Sequence, residues 1–141
     1  MNVRQRKKLT SRLMTALLRD DLPGVLAALR AGADPNAADR DGTTPLYLAS
    51  VQNEPAAVRI LLEAGADPNV ESGRGDEGTP LTGAAVWGHT DVVRALLARG
   101  ADPKIREDHG GGLSPLDYAV RGGHSTTAAL LLAAGARNLV R

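Results

Sequence analysis

The chain repeats itself, and this constrains its fold more than any single residue does. Thr44-Pro45-Leu46, Thr79-Pro80-Leu81 and Ser114-Pro115-Leu116 recur at intervals of 35 and 35 residues. A second set, Gly32-Ala33-Asp34-Pro35, Gly65-Ala66-Asp67-Pro68, Gly100-Ala101-Asp102-Pro103 and Gly135-Ala136, recurs at 33, 35 and 35. Between the two sets lie Val58-Arg59-Ile60-Leu61-Leu62, Val93-Arg94-Ala95-Leu96-Leu97 and Ala128-Ala129-Leu130-Leu131-Leu132. Two interleaved ladders with a common period mark a stack of similar units, each burying its apolar face on its neighbours.

Each repeated piece has a physical role. Thr or Ser followed by Pro starts a helix, because the hydroxyl caps free N–H groups and Pro at the first helical position forfeits no hydrogen bond. The short helix that follows is rich in small residues (Ala49-Ser50, Ala84-Ala85, Ala119-Val120) and so allows close approach of its neighbours. Asn53, Gly88 and Gly123 tolerate the left-handed conformation that stops it. A second helix carries the paired leucines; Gly65, Gly100 and Gly135 end it, and the Asp-Pro step turns the chain away. All eight prolines fall at helix starts or in these turns, including Pro23 and Pro55, so local preference and global plan agree.

A polar turn, Gly, Thr-Pro-Leu-His, Ala, a Gly-His turn, a helix ending in Leu-Leu and then Gly-Ala-Asp is the pattern of the ankyrin repeat, which this chain resembles over about residues 11–138. The resemblance implies an all-α fold, a solenoid of helix-turn-helix units joined by hairpin fingers. It divides the chain into a basic, flexible segment at 1–10, an opening unit at 11–36 with Ser11 in the Thr place and Leu13 in the Leu place, full repeats at 37–69, 70–104 and 105–138, and a tail at 139–141. There are departures. The family's His after Thr-Pro-Leu is Tyr47, Thr82 and Asp117 here, and its Gly-His turn survives as Gly88-His89 and Gly123-His124 but is Asn53-Glu54 in the first repeat. The connections before the second and third repeats are two residues longer, which predicts longer fingers at 71–78 and 106–113.

Composition fits such a stack. Aromatic residues make up 2 %, with no Phe, so the core must be Leu, Val, Ile and Ala, which suits short close-packed helices better than strands. The end units must hide their outer faces: Arg12, Arg19, Asp20, Asp21 and Arg30 supply cover at the start, and Thr126, Thr127 and Ala128 replace the bulkier Val92-Val93 at the close. A net charge of +1 provides no global field toward nucleic acid or an anionic membrane. The local exception is Arg4, Arg6, Lys7, Lys8 and Arg12, with no acid among residues 1–12. Arg12 and Arg19-Asp20-Asp21 interrupt the apolar stretch that an export signal needs, and no apolar run approaches membrane-span length. The expectation is a soluble cytoplasmic protein without membrane association.

Catalytic and metal chemistry find little support. His89 and His124 are equivalent residues one repeat apart, about 10 Å by helix packing, too far for one zinc ion with ligands at about 2 Å; they read as turn residues bonding backbone between units. His109 beside Asp108 has no nucleophile near it in sequence. Gly110-Gly111-Gly112 lacks the Lys and Ser or Thr of a phosphate cradle and reads as a tight finger turn. Asp76-Glu77 near Asp108 lacks calcium-loop spacing and reads as a solvated acidic tip. No cofactor and no metal is expected, and no enzyme.

Ankyrin stacks bind partner proteins on the concave side through fingers and first-helix ends. The resemblance therefore implies a binding surface of Arg40, Asp41 and Thr43, then Arg74, Asp76 and Glu77, then Asp108, His109 and Leu113 from the fingers. The helix ends contribute Leu18 and Arg19, Val51 and Gln52, Val86 and Trp87, and Arg121. Trp87 stands out, since a large ring on a helix of small residues is hard to bury, and Trp and Arg are enriched at binding hot spots; the alternative is a plug packed under a finger. The expected function is a non-catalytic adaptor or inhibitor binding another protein. The alternative is association with nucleic acid or an acidic partner through residues 4–12; the lack of interleaved aromatics argues against sequence-specific recognition, a frayed, solvated end is the commoner role of such a run, and nucleic acid is not the expected partner. The repeat register places Leu96 in the middle of the core, so Leu96→Ala should lower stability by about 2–5 kcal/mol; denaturant unfolding measures this, and an unchanged midpoint would reject the register.

Overall fold

A computed structural model describes residues 1–107 and 112–136, and among them eight helices and no strands. In chain order these are α1 (Val3–Leu18), α2 (Leu22–Arg30), α3 (Pro45–Val51), α4 (Pro55–Glu63), α5 (Pro80–Trp87), α6 (Thr90–Ala98), α7 (Pro115–Arg121) and α8 (Ser125–Ala133). They pack as antiparallel pairs, α1 with α2 through α7 with α8. The first helices α1, α3, α5 and α7 stack in one layer and the second helices α2, α4, α6 and α8 in another. The fold is an all-α repeat solenoid.

The start signals act as their chemistry dictates. Thr44, Thr79 and Ser114 are N-caps whose side chains accept from the N–H groups of Tyr47, Thr82 and Asp117, with Pro following each. The stops act likewise: Asp20, Asn53, Gly88 and Gly123 occupy one place in successive units and all have positive φ, 53°, 58°, 69° and 73°, the region only Gly, Asn and Asp enter readily.

The core is a set of columns running through the stack. Leu13, Leu46, Leu81 and Leu116 form one, each at most 2 % exposed; Ala28, Leu61, Leu96 and Leu131 form another in the second layer, each at most 1 % exposed. Full burial of one Leu side chain is worth about 1.5–3 kcal/mol, and here the hairpin partner and the adjacent units supply it together.

Two expectations are corrected at the ends. The basic segment at 1–10 is not separate: α1 begins at Val3, closed by a capping box between Asn2 and Gln5, and runs through Ser11, which caps nothing. Reciprocal side-chain bonds satisfy the first-turn N–H groups, and Arg, Gln, Lys and Leu all favour helix, so the helix extends about two turns beyond the length seen in the other first helices. At the close, Thr127 is not outer cover but buried, its hydroxyl 3.1 Å from that of Thr90 one repeat earlier. Val120 and Leu132 are instead 49 % and 54 % exposed, in the last of the described units, where no described unit lies beyond them to cover their columns.

Tyr47, standing where the family pattern has His, turns its ring onto Gly83 in the next first helix. A methyl added at Gly83 would lie 2.9 Å from the ring and 2.8 Å from a Val51 methyl, closer than a Cβ can stand without a shift. Gly83→Ala gains helix propensity of about 1 kcal/mol but overpacks a closed interface at about 1–3 kcal/mol. It should therefore lower the thermal midpoint, whereas an Ala at an open helical site would raise it; a rise would show that the gap is slack.

Candidate functional site

Each finger is closed by a backbone hydrogen bond, and the first two are also bonded to each other. The first closes over residues 39–43, where the Asp39 N–H donates to the Thr43 carbonyl at 3.0 Å. The second closes by the Ser72–Gly78 bridge, its Ser72 N–H donating to the Gly78 carbonyl at 2.7 Å. The third closes where the Glu107 N–H donates to the Leu113 carbonyl at 3.2 Å. The two later closures enclose two more residues than the first, as the spacing requires.

Between the first two fingers, the Gly73 N–H donates to the Gly42 carbonyl at 2.8 Å, and the Thr44 N–H to Ser72 Oγ at 3.0 Å. Thr43 Oγ1 and Ser72 Oγ both donate to Glu77 Oε1, at 2.9 and 2.8 Å. Arg74 Nη2 donates to the Arg40 carbonyl at 2.8 Å. The Tyr118 hydroxyl donates to Glu107 Oε2. Between the second and third fingers lies an acidic cleft of about 210 Å³, lined by Glu71, Gly75, Asp76, Gly78 and Glu107. Burial pushes the Tyr47 hydroxyl above its ordinary pKa, and the negative charge of Glu77, Glu107 and Asp76 pushes it further.

The residues singled out from sequence therefore divide. Arg40, Asp41, Asp76 and Arg121 are exposed; Arg74 is exposed but tied to its neighbouring finger. Thr43 and Glu77 are half-buried and bonded to each other, so they hold the fingers in register rather than standing free. Val51, Val86 and Leu113 are half-buried, and Gln52 is half-buried with Oε1 enclosed and unpartnered. Asp108 and His109 lie outside the described residues. Leu18 and Arg19 are exposed at the first helix end.

Trp87 is 64 % exposed, which rules out the plug reading. Its base is rigid: His124 Nε2 bonds the Val86 carbonyl at 3.0 Å, and the His124 ring lies against Gly88, where a Cβ would come within 2.5 Å of Nδ1. His89 makes the same link one repeat earlier, Nε2 to the Val51 carbonyl at 3.1 Å. Both histidines are thus bonds between units, as their spacing implied. A second ladder was not anticipated: Asn36 Nδ2 donates to the Gly65 carbonyl and its Oδ1 accepts from the Asp67 N–H, and Asn69 does the same with Gly100 and Asp102, all at 2.7–3.1 Å. Its signal was present in Asp-Pro-Asn at 34–36 and 67–69, which becomes Asp-Pro-Lys at 102–104.

Among the described residues no group of three or more His, Asp or Glu side chains could hold a metal ion, and no helix is long and apolar enough to cross a membrane. The family model described as ankyrin repeats, in three copies, matches residues 13–107 and 73–141. No curated protein matches the chain.

The histidine staple is missing in the first full repeat, where Glu54 takes its place. Glu54 Oε2 is buried without a partner. Burial raises its pKa above the ordinary 4.5, and Asp20 raises it further. A carboxyl whose folded-state pKa is raised contributes stability that is full below its unfolded value and is lost as pH rises through the folded one. Glu54→Gln should therefore close the gap to wild type below about pH 4.5 and become the more stable of the two above that window. Paired thermal melts across pH 4–7 check this, and parallel curves would mean that Glu54 is solvated.

Proposed function

The chain belongs to the ankyrin-repeat family, whose members are generally protein–protein interaction modules, and from that premise we propose that it is a non-catalytic adaptor or inhibitor that docks a partner protein on its concave face. The observation that carries the proposal is Trp87, a 64 % exposed indole on a backbone pinned from the next repeat by His124. A large apolar side chain on a backbone already fixed has less conformational entropy to lose on docking, and Trp is the residue type most typical of energetic hot spots.

The finger network supports the same reading. Thr43, Ser72 and Glu77 lock the first two fingers together, so Arg40, Asp41, Arg74 and Asp76 are presented on a preformed rim. Trp87 lies at the far end of α5 from its finger, about 12 Å along the helix axis. A partner engaging both would therefore cover the length of the first-helix layer, with an apolar spot over Trp87 and a polar surface over the fingers. We take the cytoplasm as the compartment, and the chain carries no cysteine.

The test is a nuclease-treated pull-down from the native host's lysate, comparing wild type with Trp87→Ala by mass spectrometry. Because Trp87 is exposed, the variant should keep its thermal midpoint to within about 0.5 kcal/mol of stability while its affinity for the captured protein falls more than tenfold, as loss of a hot spot of about 2 kcal/mol requires. Equal recovery by both proteins would remove Trp87 as the anchor.

A further inference from the structure

Helix α1 presents a face that the rest of the stack does not use. At about 100° per residue, Lys7, Arg4, Lys8 and Arg12 fall within an arc of about 140°, with Ser11, Thr15 and Gln5 among and beside them. All seven are exposed. The opposite face carries Leu13, Ala16 and Leu17 into the core. The outward face thus holds four cations and three neutral hydrogen-bonding groups with no acid, and its one apolar side chain, the exposed Leu18, stands at the last residue of the helix beyond Thr15.

Three features distinguish this face from an ordinary solvated one. Arg4, Lys8 and Arg12 are spaced at i, i+4 and i+8, where like charges repel and weaken a helix; the first turn also lacks the acidic residues that favour the positive end of the helix dipole. Neither of the ion pairs among the described residues, Arg94 with Asp91 and Arg99 with Glu63, involves α1. Charge is also segregated: residues 1–30 hold seven basic and two acidic side chains, while the remainder holds ten and fourteen. One end of the stack is therefore strongly positive although the whole chain carries only +1. Such an end is complementary to a polyanion, and the rest of the molecule repels one.

We propose that the Lys7–Arg4–Lys8–Arg12 face of α1 is a docking surface for the phosphate backbone of duplex nucleic acid, bound without regard to sequence. The cations step along the helix by about 6 Å, and a duplex strand offers a phosphate every 3.4 Å or so of its axis, so each cation reaches a different phosphate. Hydroxyl and amide side chains such as Ser11, Thr15 and Gln5 are ordinary partners of phosphate oxygens beside Arg and Lys. No aromatic side chain lies on this face to stack on bases, and a single leucine at its far end, Leu18, is too little apolar surface to insert into a bilayer, which favours the backbone over both base readout and a membrane. The surface is separate from the Trp87 site and requires no protein partner.

The experiment is fluorescence anisotropy of the full chain with a labelled random-sequence DNA duplex between 50 and 200 mM salt. With four phosphate contacts the slope of log affinity against log salt should be about −3.6, a loss on the order of a hundredfold over that range. The triple variant Arg4→Gln, Lys8→Gln, Arg12→Gln should bring the slope to about −0.9. Far-UV circular dichroism and the thermal midpoint show whether it stays folded, as neutral helix-forming replacements should allow. Trp87→Ala should bind the duplex as wild type does, so failure of this proposal and failure of the concave-face reading are separable. No binding at 50 mM salt, or an unchanged slope in the folded triple variant, would overturn the proposal. So would equal or tighter binding to poly-glutamate or to phosphatidylserine vesicles, which would reassign the face to an acidic protein or to a membrane.

Discussion

Leu13, Leu46, Leu81 and Leu116 sit at one level of the four first helices, and everything else in the structure depends on their being covered by adjacent units. No unit encloses its own leucines: a helix of seven to nine residues, the length of every described helix but α1, buries one stripe against its hairpin partner and leaves the flanks open. Stacking closes the flanks. The alanines at 49, 84 and 119, each fully buried, bring the helices close enough for the columns to be continuous, and the near-absence of aromatic residues follows from that closeness. Where the column has no neighbour the consequence is visible, since Val120 continues the line of Leu17, Ser50 and Ala85 and is half exposed while they are buried.

On this apolar stack lie two polar ladders that register it. The histidines tie each first-helix end to the turn of the next unit, and the asparagines tie successive Gly-Ala-Asp turns. Both ladders use backbone carbonyls, which bare apolar packing would leave to water, and both bridge adjacent units only. Each has one break. Glu54 interrupts the histidine set with a carboxylate that has no donor to meet, and Lys104 ends the asparagine set. These breaks fall at opposite ends of the stack, so the middle units are the most completely linked.

The same regularity makes the irregular residues informative. Trp87 replaces a position that is Gln52 in the preceding repeat and Gly122 in the following one, and packing does not account for it, since the ring is mostly in solvent. Glu77, by contrast, looked like a surface acid and is a structural acceptor for Thr43 and Ser72. The first two fingers are consequently locked together, and their exposed groups are fewer than a reading of finger residues as free would suppose. Helix α1 differs from the other first helices in length and in charge, which gives the stack one end with a chemistry of its own.

The sequence by itself determined the architecture, because period, caps, stops and paired leucines are local signals whose physics does not depend on distant residues. It also placed His89 and His124 as links between units, since equivalent residues one period apart must be one stacking distance apart. Tertiary structure alone decided which polar side chains are free. Thr43 meets Glu77 across 34 residues, Thr90 meets Thr127 across 37 and Asn36 meets Gly65 across 29. Such pairings rest on how two fingers or two turns lie against each other in space, which the residues on either side do not encode. The start of α1 was misread for the same kind of reason. A run of basic residues is equally compatible with a loose end and with a helix, and what settled it was a capping box at Asn2 and Gln5 together with a packed continuation through Leu13 and Leu17.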